Sequence, residues 1–269
     1  MARLVLTHVE PRGSRLAAGL REAGHEVLQL AFFRLQPIPA AAQALAAIDP
    51  TRYHRIIVVS PSAARFAAQA RPGAWPAGSR FATVGPGTRE ALLEAGIAAV
   101  AEQVESPPGD RHDADALLEQ AALRDGAGRA ILVLAGTGGR RDWPDVLVSR
   151  GFEVERLELY RREPMAPSAQ DWQRLAAWSA TGVSPAFVLT TVDTVDRLME
   201  ELATRGLHDW ACRCIAYCPH PRIATRLVAA GWRDARVSGA GGRLLDAAIE
   251  SGLAPREPGN DERTDANCP

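Results

Sequence analysis

Five times along this chain an apolar run ends in a short loop of Gly, Ser, Thr or Pro that opens a helical period. The junctions are Val58-Val59-Ser60-Pro61-Ser62, Thr83-Val84-Gly85-Pro86-Gly87-Thr88, Leu134-Ala135-Gly136-Thr137-Gly138-Gly139-Arg140, Leu189-Thr190-Thr191 and Tyr217-Cys218-Pro219-His220. A helix start carries unpaired N–H groups and the positive end of the helix dipole. Several such starts on one sheet edge therefore make a surface that binds anions. Any one of these loops can be a plain helix cap; their recurrence is what points to a ligand with many negative charges.

A second repeat closes the helices. Gly24, Gly96, Gly151, Gly206 and Gly231 each follow a helical period and precede a strand-like run, where glycine supplies the left-handed conformation of a C-cap. Together the two repeats write β-α-β-α from end to end. Strands are expected at Leu4–Thr7, Val27–Leu30, Ile56–Val59, Phe81–Val84, Ala99–Gln103, Ile131–Leu134, Val154–Tyr160, Phe187–Thr190, Cys214–Tyr217 and Ala235–Ser238. Helices are expected near 12–23, 41–48, 62–70, 88–95, 114–123, 142–149, 168–178, 192–204, 220–230 and 241–250. Short apolar strands alternating with helices imply an α/β protein whose parallel sheets are covered on both faces. Two sheets of about five strands are commoner than one of ten.

Proline marks the breaks, at Leu35-Gln36-Pro37-Ile38-Pro39 and at Tyr160-Arg161-Arg162-Glu163-Pro164. The chain is expected to cross from one lobe to the other at the first and to return at the second. This gives a discontinuous lobe of 1–36 plus 165–254 and a continuous lobe of 40–160. The polar run 255–269 reads as a disordered tail.

Composition narrows the chemistry. All 31 basic residues are arginine, which removes Schiff-base lysines and the lysine-dependent phosphate loop. A net charge of −1 carries no footprint for nucleic acid or for an anionic membrane. No run approaches the ~18 apolar residues of a spanning helix, and residues 1–20 lack a signal-peptide core, so a cytoplasmic protein is expected. Cys212, Cys214 and Cys218 are expected on one face of an extended strand as buried thiols, at a spacing unlike zinc pairs. There is no Gly-x-Ser-x-Gly elbow, no His-Glu-x-x-His and no complete dinucleotide fingerprint. Gly136 to Arg141 resembles a phosphate cradle without its spacing. His8 and His220 follow strands and can line a cleft or simply cap. In open parallel sheets ligands bind beyond the carboxyl ends of strands, so the junction loops of both lobes are expected to face one cleft, polar and free of metal.

Over residues 3–250 the chain resembles the uroporphyrinogen-III synthase family. The matching pieces are Leu6-Thr7, Val59-Ser60-Pro61-Ser62-Ala63, Val84-Gly85-Pro86-Gly87-Thr88, Gly136 with Gly139-Arg140, and Arg150-Gly151-Phe152-Glu153-Val154 leading to Leu159-Tyr160-Arg161-Arg162. They continue with Leu189-Thr190-Thr191, Pro219-His220-Pro221-Arg222-Ile223-Ala224 and Ala230-Gly231-Trp232. The resemblance implies two parallel-sheet, three-layer α/β lobes joined by a two-stranded connector. It also implies a cofactor-free lyase that cyclises linear hydroxymethylbilane to uroporphyrinogen III with loss of water and inversion of ring D; a monomer is expected. Hydroxymethylbilane synthase is the candidate donor of that substrate. The eight carboxylates of the bilane suit a cleft of helix starts and arginines.

By the same resemblance, Tyr160 is the candidate acid for the departing hydroxyl. Thr7, His8, Ser60, Ser62, Thr88, Thr191, His220, Arg222 and the loops at Gly85, Gly136, Gly139 and Arg140 are candidate contacts for acetate and propionate groups. The chain departs from the family at His8 and Ala135, where arginine is usual, and at Thr190-Thr191, where Thr-Ser is usual; Arg140, Arg141 and Arg222 are candidate replacements. The rival readings are a two-lobed binder of an anionic small molecule without chemistry, and a nucleotide-dependent transferase using the 136–140 loop.

Overall fold

A computed structural model describes residues 1–108, 114–138, 142–238 and 242–253. In chain order the elements are β1 (Arg3–Leu6), α1 (Arg12–Glu22), β2 (Glu26–Gln29), β3 (Phe33–Pro37), α2 (Pro39–Ala47), β4 (Arg55–Val58), α3 (Pro61–Ala70), β5 (Phe81–Thr83), α4 (Pro86–Glu94), β6 (Val104–Glu105) and α5 (Ala114–Leu118). They continue with β7 (Ala130–Gly136), α6 (Asp142–Ser149), β8 (Glu153–Pro164), α7 (Ala169–Ala180), β9 (Ala186–Val188), α8 (Val192–Thr204), α9 (His208–Ala211), β10 (Ile215–Cys218), α10 (Pro221–Ala229), β11 (Asp234–Val237) and α11 (Gly242–Leu253).

Two compact units result, one formed by Met1–Phe32 with the chain from Met165 on, the other by Phe33–Pro164. The first holds a five-stranded sheet in the order β11-β10-β9-β1-β2, and every strand pair in it is parallel. The second holds a six-stranded sheet in the order β3-β8-β7-β4-β5-β6. It is parallel except at its edge, where β3 runs antiparallel to the far half of β8, from Phe33 opposite Pro164 to Pro37 opposite Tyr160. The sequence-based limit at residue 36 moves to Phe32, because Phe33–Pro37 is hydrogen-bonded into the second sheet.

Alternation sorts the strand residues onto two cores. In the second unit Ile56, Val58, Leu132 and Leu134 pack with Ala63, Ala64 and Ala67 of α3 and Leu92 of α4. Ile57, Ile131 and Val133 face the other way, toward Leu117, Trp143 and Leu147. In the first unit Leu4, Leu6, Val27 and Val188 pack with Ala17 of α1 and Ala248 of α11, while Phe187 stacks edge-on against Trp232 with ring centres 5.0 Å apart. Such two-sided burial is what makes parallel strands read as continuous apolar runs. The five expected cap glycines all have positive φ, between 67° at Gly96 and 96° at Gly231.

Three expectations fail locally. Ala99–Gln103 is not a strand: Ala101–Gln103 forms a 3₁₀ turn and β6 is only Val104–Glu105. The Gln103 side-chain oxygen accepts from the N–H groups of Ala99 (2.7 Å) and Val100 (3.2 Å), which folds the segment back on itself. The helix at 114–123 breaks after Leu118 into a 3₁₀ turn at Ala121–Leu123. Cys212 caps α9 rather than joining a strand, so the three thiols do not share a strand face, although all three are buried and outside any disulfide. Residues 254–269, which include the expected tail, lie outside the described residues.

Candidate active site

A polar cluster lies at the carboxyl edge of the second sheet, and a backbone irregularity creates it. β7 and β8 run in step from Ala130 opposite Glu153 to Ala135 opposite Glu158; then Gly136 pairs with Tyr160, leaving Leu159 as an extra residue. A bulge of this kind re-aims side chains. Strict alternation would send residue 160 to the side of Val154, which packs against the Trp143 core. Instead Leu157, Leu159 and Tyr160 all pack on the α3 side. There the Tyr160 ring stacks on Phe66, with centres 4.9 Å apart and planes 19° from parallel.

This position brings the Tyr160 hydroxyl to 3.1 Å from Ser60 Oγ. Ser60 is the N-cap of α3, and its Oγ accepts from the N–H of Ala63 at 3.0 Å. Gly136 makes room for the ring: a Cβ there would lie 2.5 Å from both Cε2 and Cζ of Tyr160. The N–H of Thr137 donates to the Tyr160 carbonyl at 2.8 Å, tying the junction loop to the bulge. A cavity of about 290 Å³ opens beside these groups, lined by Tyr160, Gly136, Thr137, Gly138, Trp143 and Arg156 among others.

The remaining candidates of this unit divide. Gly85 is the N-cap of α4, and Val84 beside it lines the cavity. Ser62 is half-buried in the first turn of α3. Thr88 is buried within α4. Gly139 and Arg140 lie outside the described residues.

In the first unit the adjacent strands β1, β9 and β10 present Thr7, Thr191 and His220 at their carboxyl ends. Thr7 is buried, and its Oγ1 donates to the carbonyl of Val188 at 2.9 Å, so its hydroxyl locks two strands together. Thr191 caps α8, accepting from the N–H of Thr194 at 3.3 Å. His220 caps α10 through Nδ1, which accepts from the N–H of Arg222 at 3.1 Å. Arg222 is exposed in the first turn of α10.

His8 differs from the others. It is 7% exposed, and burial, aided by the Arg12 guanidinium, holds its pKa down at about 4. It is therefore neutral at pH 7 and does not replace an arginine's charge. Its Nδ1 finds no hydrogen-bond partner among the described residues. Because the unfolded chain titrates near 6.5 and the folded one at about 4, the unfolded state takes up the proton first as pH falls. Stability present above pH 6.5 is lost between there and about pH 4, by about 3 kcal/mol. His8→Gln should remove that component, so the difference in urea-unfolding free energy between wild type and variant should shrink from pH 7.5 to pH 4.5; a constant difference would rule it out.

The family model described as uroporphyrinogen-III synthase HemD matches residues 14–240. The chain belongs to the uroporphyrinogen-III synthase family. The uroporphyrinogen-III synthases of Salmonella typhimurium and Escherichia coli are 28% and 26% identical to it over 241 residues, which is 87% of this chain and 94% of each relative. The solved structure of a mutant uroporphyrinogen III synthase from Thermus thermophilus is similar with a TM-score of 0.54 at 17% identity, covering 94% of this chain and 99% of that one. That of the Helicobacter pylori synthetase gives 0.50 at 12% identity, covering 93% of this chain and all of the other. The two-sheet α/β fold is thus shared with uroporphyrinogen-III synthases of known structure.

Within this synthase-family chain, sequence reasoning found Tyr160, Ser60 and Gly136, which the structure brings together. It did not single out Phe66, the stacking partner of Tyr160, or Arg156, which lines the cavity. Among the described residues no group of three His, Cys, Asp or Glu is placed to hold a metal ion, and no helix is long and apolar enough to cross a membrane.

Proposed function

We propose that this chain is a hydro-lyase that cyclises hydroxymethylbilane to uroporphyrinogen III, with loss of water and inversion of the last pyrrole ring. The observation that carries the reading, beside family membership, is the phenol of Tyr160 lining a cavity at a sheet edge, 3.1 Å from the capping hydroxyl of Ser60. In this reading Tyr160 gives a proton to the departing hydroxyl of the bilane and Ser60 orients it. The resulting azafulvenium carbon is attacked by the substituted carbon of the last ring. The spiro intermediate then breaks the bond between that carbon and its original bridging carbon, the free α-carbon of the last ring bonds to the released bridging carbon, and the proton shed there balances the one Tyr160 gave, so that water is the one product lost. Electron-rich pyrroles supply the driving force, and the protein supplies conformation. Helix starts capped by Ser60 and Gly85 offer N–H groups to the substrate's carboxylates. The enzyme is read as a cytoplasmic monomer that takes bilane from hydroxymethylbilane synthase.

Dialysed protein given fresh hydroxymethylbilane and no cofactor should consume it well above the spontaneous rate; consumption at the buffer rate would overturn the reading. Tyr160→Phe keeps the stack on Phe66 and removes the hydroxyl. It should lower kcat by about 100-fold, the low end for general-acid catalysis, with KM within about twofold. Unchanged kcat would leave Tyr160 as a wall of the cavity and take the acid role from it.

A further inference from the structure

Arg156 is the one cation that lines the Tyr160 cavity among the described residues. It sits on β8 opposite Val133, two residues before Glu158 opposite Ala135. Val133 and Ala135 belong to the Trp143 core, so Arg156 reaches the cavity across an apolar floor. Its Nη2 donates to the carbonyls of Gly136 (3.4 Å) and Gly138 (3.1 Å), which fixes the guanidinium under the junction loop. Its Nε is buried and has no hydrogen-bond partner among the described residues. Among the described residues the carboxylate paired with it is Glu158, 3.4 Å from Nη2, beyond the 2.7–2.9 Å of a tight charge-assisted bond. A fixed guanidinium that is loosely paired, at an apolar cavity wall, is suited to a planar carboxylate.

We infer that Arg156 binds an acetate or propionate carboxylate of the substrate at this edge, with Glu158 as the internal anion that the substrate displaces. This rests on the cyclase reading above. Loss of one charge-assisted bond to a carboxylate is expected to weaken binding roughly tenfold.

The test is steady-state cyclisation of hydroxymethylbilane by full-length wild type, Arg156→Met, Arg156→Lys and Glu158→Gln, at low and high salt. Arg156→Met should raise KM about tenfold with kcat within about twofold, and its KM should depend less on salt than that of wild type. Arg156→Lys should restore part of the loss, since charge returns without the planar fork. Glu158→Gln leaves the loop braced and removes the competitor, so KM should fall; this arm decides the matter if the Arg156 variants do not fold. Unchanged KM in Arg156→Met, or a fall in kcat alone that marks Arg156 as a loop brace, would overturn the inference, as would a raised or unchanged KM in Glu158→Gln. If wild type itself does not turn the bilane over, the cyclase reading fails first and takes this inference with it.

Discussion

Replacing Gly136 by alanine should lower kcat/KM for hydroxymethylbilane by about 100-fold, the loss that a misplacement of about 1 Å can bring. The new Cβ would lie 2.5 Å from Cε2 and Cζ and 2.9 Å from the hydroxyl oxygen of Tyr160. Carbon atoms rest at about 3.5–4.0 Å, so the ring must retreat by about 1 Å. Phe66 stacks against the ring at 4.9 Å, and the backbone is tied by the Thr137 N–H to the Tyr160 carbonyl. The hydroxyl then leaves its place beside Ser60. Gly136 lies at a sheet edge next to a cavity, so the melting temperature should move far less than the activity. An alanine variant with near wild-type kcat/KM would mean that the placement of Tyr160 does not matter to the reaction.

The largest effect on stability is expected in the first unit, at Trp232. This residue is 2% exposed, packs edge-on against Phe187 and donates its indole N–H to the Cys214 carbonyl at 2.8 Å. Trp232→Ala removes the ring, opens a cavity and leaves that carbonyl without its indole partner, for a loss of about 3–5 kcal/mol. Against a typical total of about 5–15 kcal/mol this is severe, and for a chain of this size it should lower Tm by roughly 10 °C. Trp232→Phe refills most of the cavity and should lose clearly less. Urea unfolding followed by circular dichroism measures both; a loss under about 1 kcal/mol in the alanine variant would show that the site collapses around the gap.

These two positions also show what sequence can reveal. Gly231 before Trp232 was legible as a helix end, because a left-handed cap is a local requirement. The strand-to-helix junctions were legible for the same reason, and with them the two parallel sheets and the caps at Ser60, Thr191 and His220. Long-range pairings were not legible. Nothing local marks Leu159 as the extra residue of a bulge, so the turning of Tyr160 toward Phe66 and against Gly136 appears only once β7 and β8 are paired. Thr7 and Thr88 looked like contacts for anions because threonine at a junction suits either a ligand or a neighbouring backbone. In the fold Thr88 is buried in α4 and Thr7 bonds across to the Val188 carbonyl. Arg156 looked like one charge among the 31 basic residues, since a residue lining a cavity is recognised by its neighbours across the sheet. At Ala99–Gln103 the apolar run invited a strand, and a single glutamine side chain made it a turn.

The most direct test of the central claim is the isomer composition of the product. Freshly generated hydroxymethylbilane is given to the purified protein with no cofactor, the porphyrinogens are oxidised, and uroporphyrins I and III are separated and quantified against a protein-free control. The ring-inverting cyclase described here is expected to give mainly isomer III where the control gives isomer I. Isomer I alone, with protein present and the bilane consumed, would contradict it.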